Sequence, residues 1–131
     1  MKNLSAFIIV IALLIFGFFV LTSDKLSPNN EASSNNVSMI DGKQIVEIKA
    51  RGGYTPMRSI AKAGIPTIIR FNTESTFDCS SSVRIPELGI SRSLPLSGIT
   101  DIELQSNQIG LLKGSCGMGM YPFEIEFVTP E

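Results

Sequence analysis

From Asn3 to Ser23 the chain carries no charged residue, and the stretch AFIIVIALLIFGFFVLT within that run is almost wholly apolar. As a helix, about 20 residues rise roughly 30 Å, the hydrocarbon thickness of a bilayer. A removable export signal has a shorter apolar core and small residues at its cleavage site. Here Phe18, Phe19, Val20 and Leu21 run up to the boundary, with no Ala-x-Ala pattern and no cysteine to accept a lipid. Residues 1–23 are therefore expected to form an uncleaved membrane anchor, with secretion after signal cleavage as the alternative. Lys2 favours an inside amino terminus, which puts the rest of the chain outside the cytoplasm.

The next segment, SDKLSPNNEASSNN, is rich in Ser and Asn and has no apolar face. Residues 24–37 read as a flexible linker, leaving 38–131 to fold. In that remainder the pattern is that of strands. YPFEIEFV sets Tyr121, Phe123, Ile125 and Phe127 against Glu124 and Glu126, a period of two. TDIEL sets Ile102 and Leu104 against Asp101 and Glu103, TIIRFNT alternates Ile69 and Phe71 with Ile68 and Arg70, and KQIVEIKA alternates weakly. Turn signals (DG, RGGYTP, AGIP, PELG, LSG) separate these runs, and no helical period of useful length follows the anchor. The expected fold is all-β, an antiparallel Greek-key β-sandwich behind one N-terminal transmembrane or signal helix. The strand carboxylates read as a solvated face.

Composition narrows the function. The 131 residues carry a net charge of -1, so there is no basic field to attract nucleic acid. There is no histidine, which removes imidazole metal ligands, Ser–His or Cys–His nucleophiles and most general acid–base catalysis. With no acid–base pair or activated nucleophile in sight, the chain is not expected to be an enzyme.

Sulfur is what remains. The only cysteines are Cys79, in FDCSSS, and Cys116, in GSCGMGMY. In an oxidising compartment two cysteines by default form a structural disulfide. The second stretch, however, places Met118 and Met120 beside Cys116 among glycines, and Met is normally a gap-filler in a core. A Gly-Met-Gly-Met run packs poorly. Gly117 and Gly119 would instead let the loop bend and bring Cys116, Met118 and Met120 toward one point. Thiolate and thioether sulfurs select Cu(I) or silver over hard cations, and zinc gains little from a thioether. A disulfide does not need the methionines.

The order of these motifs resembles that of the cupredoxins. YTPMRSIAKAGIPTIIRFNT is similar to the family's opening strands, CSSSVRIPELGI to the segment of the first metal ligand, LSGITDIEL to the following strand, and IGLLKGSCGMGMYPFEIEF to the ligand loop and closing strand. The resemblance covers nearly all of 38–131 and neither the anchor nor the linker. It implies that Cys79 stands at the first ligand position and Cys116 at the thiolate position, with the two loops together at one end of the sandwich. Electron-transfer members place histidine at the first position and at one loop position, where this chain has Cys79 and offers Met118 or Met120. The blue-copper centre of two imidazoles and a thiolate is thereby excluded, and a histidine-free subgroup with a CGMGM loop is indicated. Phe123 also stands where the closing strand often has glycine.

Three functions follow as expectations. The first is a membrane-tethered extracytoplasmic protein that holds or transfers Cu(I) through Cys79, Cys116, Met118 and Met120, in exchange with another copper-handling protein. The second is electron transfer, which an all-sulfur site disfavours because it stabilises Cu(I) too strongly. The third is a structural or interaction module whose cysteines form a Cys79–Cys116 disulfide with no metal. The anchor is testable independently of these. After a carbonate wash the protein should stay with membranes and keep its original amino terminus, whereas a soluble species beginning near Ser23 would identify a cleaved signal.

Overall fold

The computed structural model describes the backbone of residues 2–21 and 35–131, and within the first segment the side chains of residues 6–16. Helix α1 (Lys2–Leu21) spans 20 residues, and its described side chains are all exposed. Among the described residues no helix is long and apolar enough to cross a membrane, and the apolar run expected to form an anchor extends outside the described side chains. Most of the linker expected at 24–37 also lies outside the described residues. Where description resumes, the Asn36 side-chain amide donates to Glu47 O and Ser59 Oγ, both at 2.8 Å.

Ten strands follow among the described residues: β1 (Val37–Ile40), β2 (Lys43–Ala50), β3 (Tyr54–Thr55), β4 (Arg58–Lys62), β5 (Thr67–Thr73), β6 (Ser82–Ile85), β7 (Ile90–Ser93), β8 (Gly98–Leu104), β9 (Gly110–Ser115) and β10 (Pro122–Val128). They form two sheets. One runs β1-β2-β5-β8 with β3 beside β2, and the other runs β4-β10-β9-β6-β7. Alternation decides what lies between them. Ile69 and Phe71 from β5, Ile102 and Leu104 from β8, and Phe123, Ile125 and Phe127 from β10 are all buried. The charged residues between them pair outside, as in the bidentate Arg70–Asp101 bond at 2.8 Å and the Arg58–Glu124 pair at 3.1 Å.

The sandwich is mixed rather than antiparallel. β2 pairs with β5 in parallel, and so do β4 and β10. Parallel neighbours need a crossover, and the chain makes one by leaving β2 for β4 in the opposite sheet before returning as β5. Side chains alternate identically in parallel and antiparallel strands, so the sequence pattern carried no information on direction.

Asn36 Oδ1 is buried without a hydrogen-bond partner, whereas the buried amide of Gln44 is satisfied locally. Gln44 is 1 % exposed, and its side-chain amide donates to Lys62 O and Thr67 Oγ1 and accepts from Lys62 N at 2.8–3.1 Å. This closes the Gly64 turn onto the start of β2.

Nearer the end of the sandwich that carries the cysteines, Tyr54, Phe71 and Phe123 meet edge to face with centroids 4.9, 5.5 and 5.9 Å apart. Each such pair contributes about 0.5–1.5 kcal/mol beyond area burial. Phe123 lies directly across from Gly114 in the β9–β10 register. A Cβ on Gly114 would overlap the Phe123 ring. The missing side chain on β9 is the space the ring occupies. Gly114→Ala is therefore expected to cost about 1–3 kcal/mol through overpacking, measured by urea denaturation. Unchanged stability would show that the ring can shift without loss.

Candidate metal centre

Cys79 opens a single 3-10 turn, Cys79–Ser81, and Asp78 caps it. The Asp78 carboxylate accepts the Ser80 N–H at 2.8 Å and the Gly52 N–H at 2.9 Å, and the Ser80 hydroxyl as well. These bonds, the Ser80 hydroxyl first, hold its carboxyl below the usual carboxylate range. A lowered carboxylate value means that this tie is complete above the unfolded value of about 3.9 and is lost as pH falls through the lower, folded one. Just upstream, buried Thr76 donates from Oγ1 to Ala50 O at 2.6 Å. The segment before Cys79 is thus fastened to the end of β2 and to the RGG turn.

Cys116 follows β9 and is fully buried. Its N–H donates to Tyr121 O at 3.0 Å and its carbonyl accepts the Gly119 N–H at 2.9 Å. Its sulfur accepts the Tyr121 N–H at 3.4 Å. Three bonds therefore shape the six residues between β9 and β10 into a closed loop.

Ser82 joins the two loops. Its Oγ donates to Cys79 O at 3.1 Å and accepts the Gly117 N–H at 2.9 Å. Its own carbonyl accepts from the Tyr54 hydroxyl at 2.6 Å, which ties the junction to the aromatic cluster. Burial, and then the charge of Asp78, pushes the Tyr54 hydroxyl well above the usual phenol range, so it stays protonated and donating.

The sulfur residues fall as follows. Cys79 and Cys116 lie with Cα atoms 5.7 Å apart and are joined as a disulfide, within the usual Cα span for such a bond. The structure thus brings together two residues that are 37 apart in sequence, in the oxidised form that the sequence left open beside metal ligation. Met118 and Met120 are 75 % and 62 % exposed, so neither fills a core gap. Among the described residues no group of three or more His, Cys, Asp or Glu side chains gathers.

The glycines of the loop do separate work: Gly119 provides the bend expected of both, and Gly117 does something else. Gly119 has a φ of +75°, a left-handed turn position, which costs an ordinary residue roughly 1–2 kcal/mol. Gly117 has no positive φ, and a Cβ there would come within 2.8 Å of Ser82 Oγ. It is glycine so that its N–H can reach the serine. Sequence reasoning missed Ser82, Asp78 and Tyr54. Asp two residues before Ser80 is a recognisable capping signal, but nothing in the chain near Ser82 points to Gly117.

Residues 10–128 match the family described as the cupredoxin-like domain, and the chain belongs to that family. Among solved structures it is similar to the metal-binding domain of the Cu(I)-exporting P-type ATPase CopA of Streptococcus pneumoniae D39, determined with Cu(I). The TM-score is 0.63 at 27% identity, over 70% of this chain and 92% of that one. It is also similar to a copper-binding protein solved by NMR in the apo form, with a TM-score of 0.66 at 24% identity, over 75% of this chain and 100% of that one. That second likeness is one of fold alone. No curated protein matches.

The Ser82 junction is open to a direct test. Ser82→Ala should lower stability by about 1–3 kcal/mol, because the Gly117 N–H loses its partner, and it should slow reoxidation of the reduced protein. An unchanged reoxidation rate would show that the loops meet without the hydroxyl.

Proposed function

We propose that this cupredoxin-like domain binds Cu(I) through sulfur and holds or hands it over outside the cytoplasm, tethered by its N-terminal apolar helix. The observation that carries the reading is the meeting of Cys79 and Cys116 at one end of the sandwich, on a junction organised by Ser82. Once reduced, the pair offers two thiolates with Met118 and Met120 exposed on the adjoining loop. Two thiolates and a thioether are a soft, three-coordinate set suited to Cu(I). The Cu(I) in the related metal-binding domain of the exporting ATPase supports the same choice of metal. Exposed methionines also suit transfer, since a thioether at the surface is open to an incoming copper-handling partner. The role is one of binding, not catalysis.

The tether draws support from the described part of α1, where Phe7, Leu13, Leu14 and Phe16 are 66–71 % exposed. Apolar side chains in that number are stable in lipid and costly in water.

The disulfide favours a second reading, a structural module without metal. Closing a separation of 37 residues contributes about 4 kcal/mol in the chain-entropy account. Copper across the same two sulfurs would close the same loop. The two readings therefore part in the reduced protein. On the copper reading, reduction should lower the Tm and stoichiometric Cu(I) should restore it, with silver competing and zinc displaced. On the structural reading, the reduced protein stays destabilised whatever metal is added.

Ligand assignment has its own test. Cys116→Ser should abolish tight Cu(I) binding and Cys79→Ser nearly so. Met118→Leu should weaken binding while costing less than about 1.5 kcal/mol of stability, and Met120→Leu should change binding less. Unchanged Cu–S coordination by X-ray absorption in the double leucine variant would leave a two-thiolate site.

A further inference from the structure

We propose that the Cys79–Cys116 pair is a thiol–disulfide exchange site with a fixed polarity, in which a dithiol protein attacks Cys79 and Cys116 is the sulfur that leaves. The inference deepens the copper reading and takes its purpose from it, since the disulfide must open before both sulfurs can bind Cu(I). Its geometry stands apart from that reading.

Exchange requires a thiolate to approach one sulfur in line with the bond, on the side away from the other. The two sulfurs are not equally open to such an approach. Cys116 is 0 % exposed, behind β9 and the closed loop. Cys79 is only partly buried, in a turn whose neighbour Phe77 is 78 % exposed. Access therefore selects Cys79 Sγ as the electrophile, with an apolar surface residue beside it for the incoming protein to rest on.

The leaving side is prepared as well. The Tyr121 N–H donates to Cys116 Sγ at 3.4 Å, and a donor already aimed at sulfur stabilises the negative charge that develops as the bond breaks. That donor is fixed by the loop, because the Tyr121 carbonyl simultaneously accepts from the Cys116 N–H.

The step balances. The reductant's thiolate bonds to Cys79 Sγ, the Cys79–Cys116 bond breaks, and its electron pair leaves on Cys116. The reductant's second thiol, after losing its proton, attacks the reductant's own sulfur in the mixed disulfide and releases Cys79 as a thiolate. Two electrons have passed to this chain, and the dithiol protein departs as a disulfide. Cu(I) then binds without any change in its oxidation state.

The test uses the full chain in detergent micelles, purified without reductant, with glutathione as a single-thiol probe. After brief exposure, free thiols are capped with N-ethylmaleimide and the cysteine peptides are weighed. The expected result is glutathione on Cys79 and maleimide on Cys116. Glutathione mainly on Cys116, or equally on both, overturns the polarity. Full maleimide labelling of both cysteines before any glutathione is added overturns the exchange site itself. A parallel titration with Cu(I), against a coloured Cu(I) chelator, compares the oxidised and reduced protein. If the reduced protein takes no Cu(I) while the glutathione map holds, the copper reading fails and the exchange site stands. If both thiols are free from the start and Cu(I) binds, the reverse is true.

Discussion

Both sulfur-bearing loops of this domain are held by one hydroxyl. Ser82 Oγ gives its proton to the carbonyl of Cys79 and takes the N–H of Gly117, so one atom sets the relation between segments far apart in sequence. The bond on the serine carbonyl from Tyr54 passes that relation down to the aromatic cluster and thus to both sheets. Rigidity at the sulfur end is therefore borrowed from the core. The two cysteines need no movement to join, and the loop between β9 and β10 presents its methionines outward while its backbone stays closed.

Whether two sulfurs so placed hold each other or a metal is a matter of electrons more than of architecture. The junction that holds the covalent bond would, on the proposed copper reading, hold a bridging soft cation once reduced, because each asks that the two side chains lie together. What separates them is the loop beyond Cys116. Its two methionines are exposed and add nothing to the packing of the disulfide form, yet they are the donors a soft cation would lack if cysteine alone were present.

Much of this was legible in the residues. The alternation of TDIEL and YPFEIEFV named the buried sides of β8 and β10 correctly, since burial of every second residue is dictated by the pleat. Strand direction was not legible, because β2–β5 and β4–β10 pair in parallel with the same alternation an antiparallel pair would show. Cys79 and Cys116 stood out as the only cysteines, and their nearness followed from the resemblance, but their bonding did not. Gly117 was misread for a general reason. A glycine that admits a neighbour and one that adopts a left-handed turn are the same letter, and only the position of Ser82 distinguishes them. Phe123 opposite Gly114 is a similar case, where a bulky residue and a missing side chain make sense only as a pair across β9 and β10.

The parallel pairing of β4 with β10 has a consequence for how the domain comes together. Strands at residues 58–62 and 122–128 are hydrogen-bonded neighbours, so the chain between them, which includes both cysteines, forms one large loop closed by that contact. Non-local pairing of this kind slows folding, since loop entropy is spent before the contact returns it. Until β10 slots between β4 and β9, the bed that Phe123 makes for Tyr54 is missing, and with it the anchor of Ser82. The fixed relation of the sulfurs thus depends on that non-local pairing. A chain in which that contact has not closed leaves each thiol open to whatever thiols surround it, so the pairing of the cysteines rests on a strand contact remote from both.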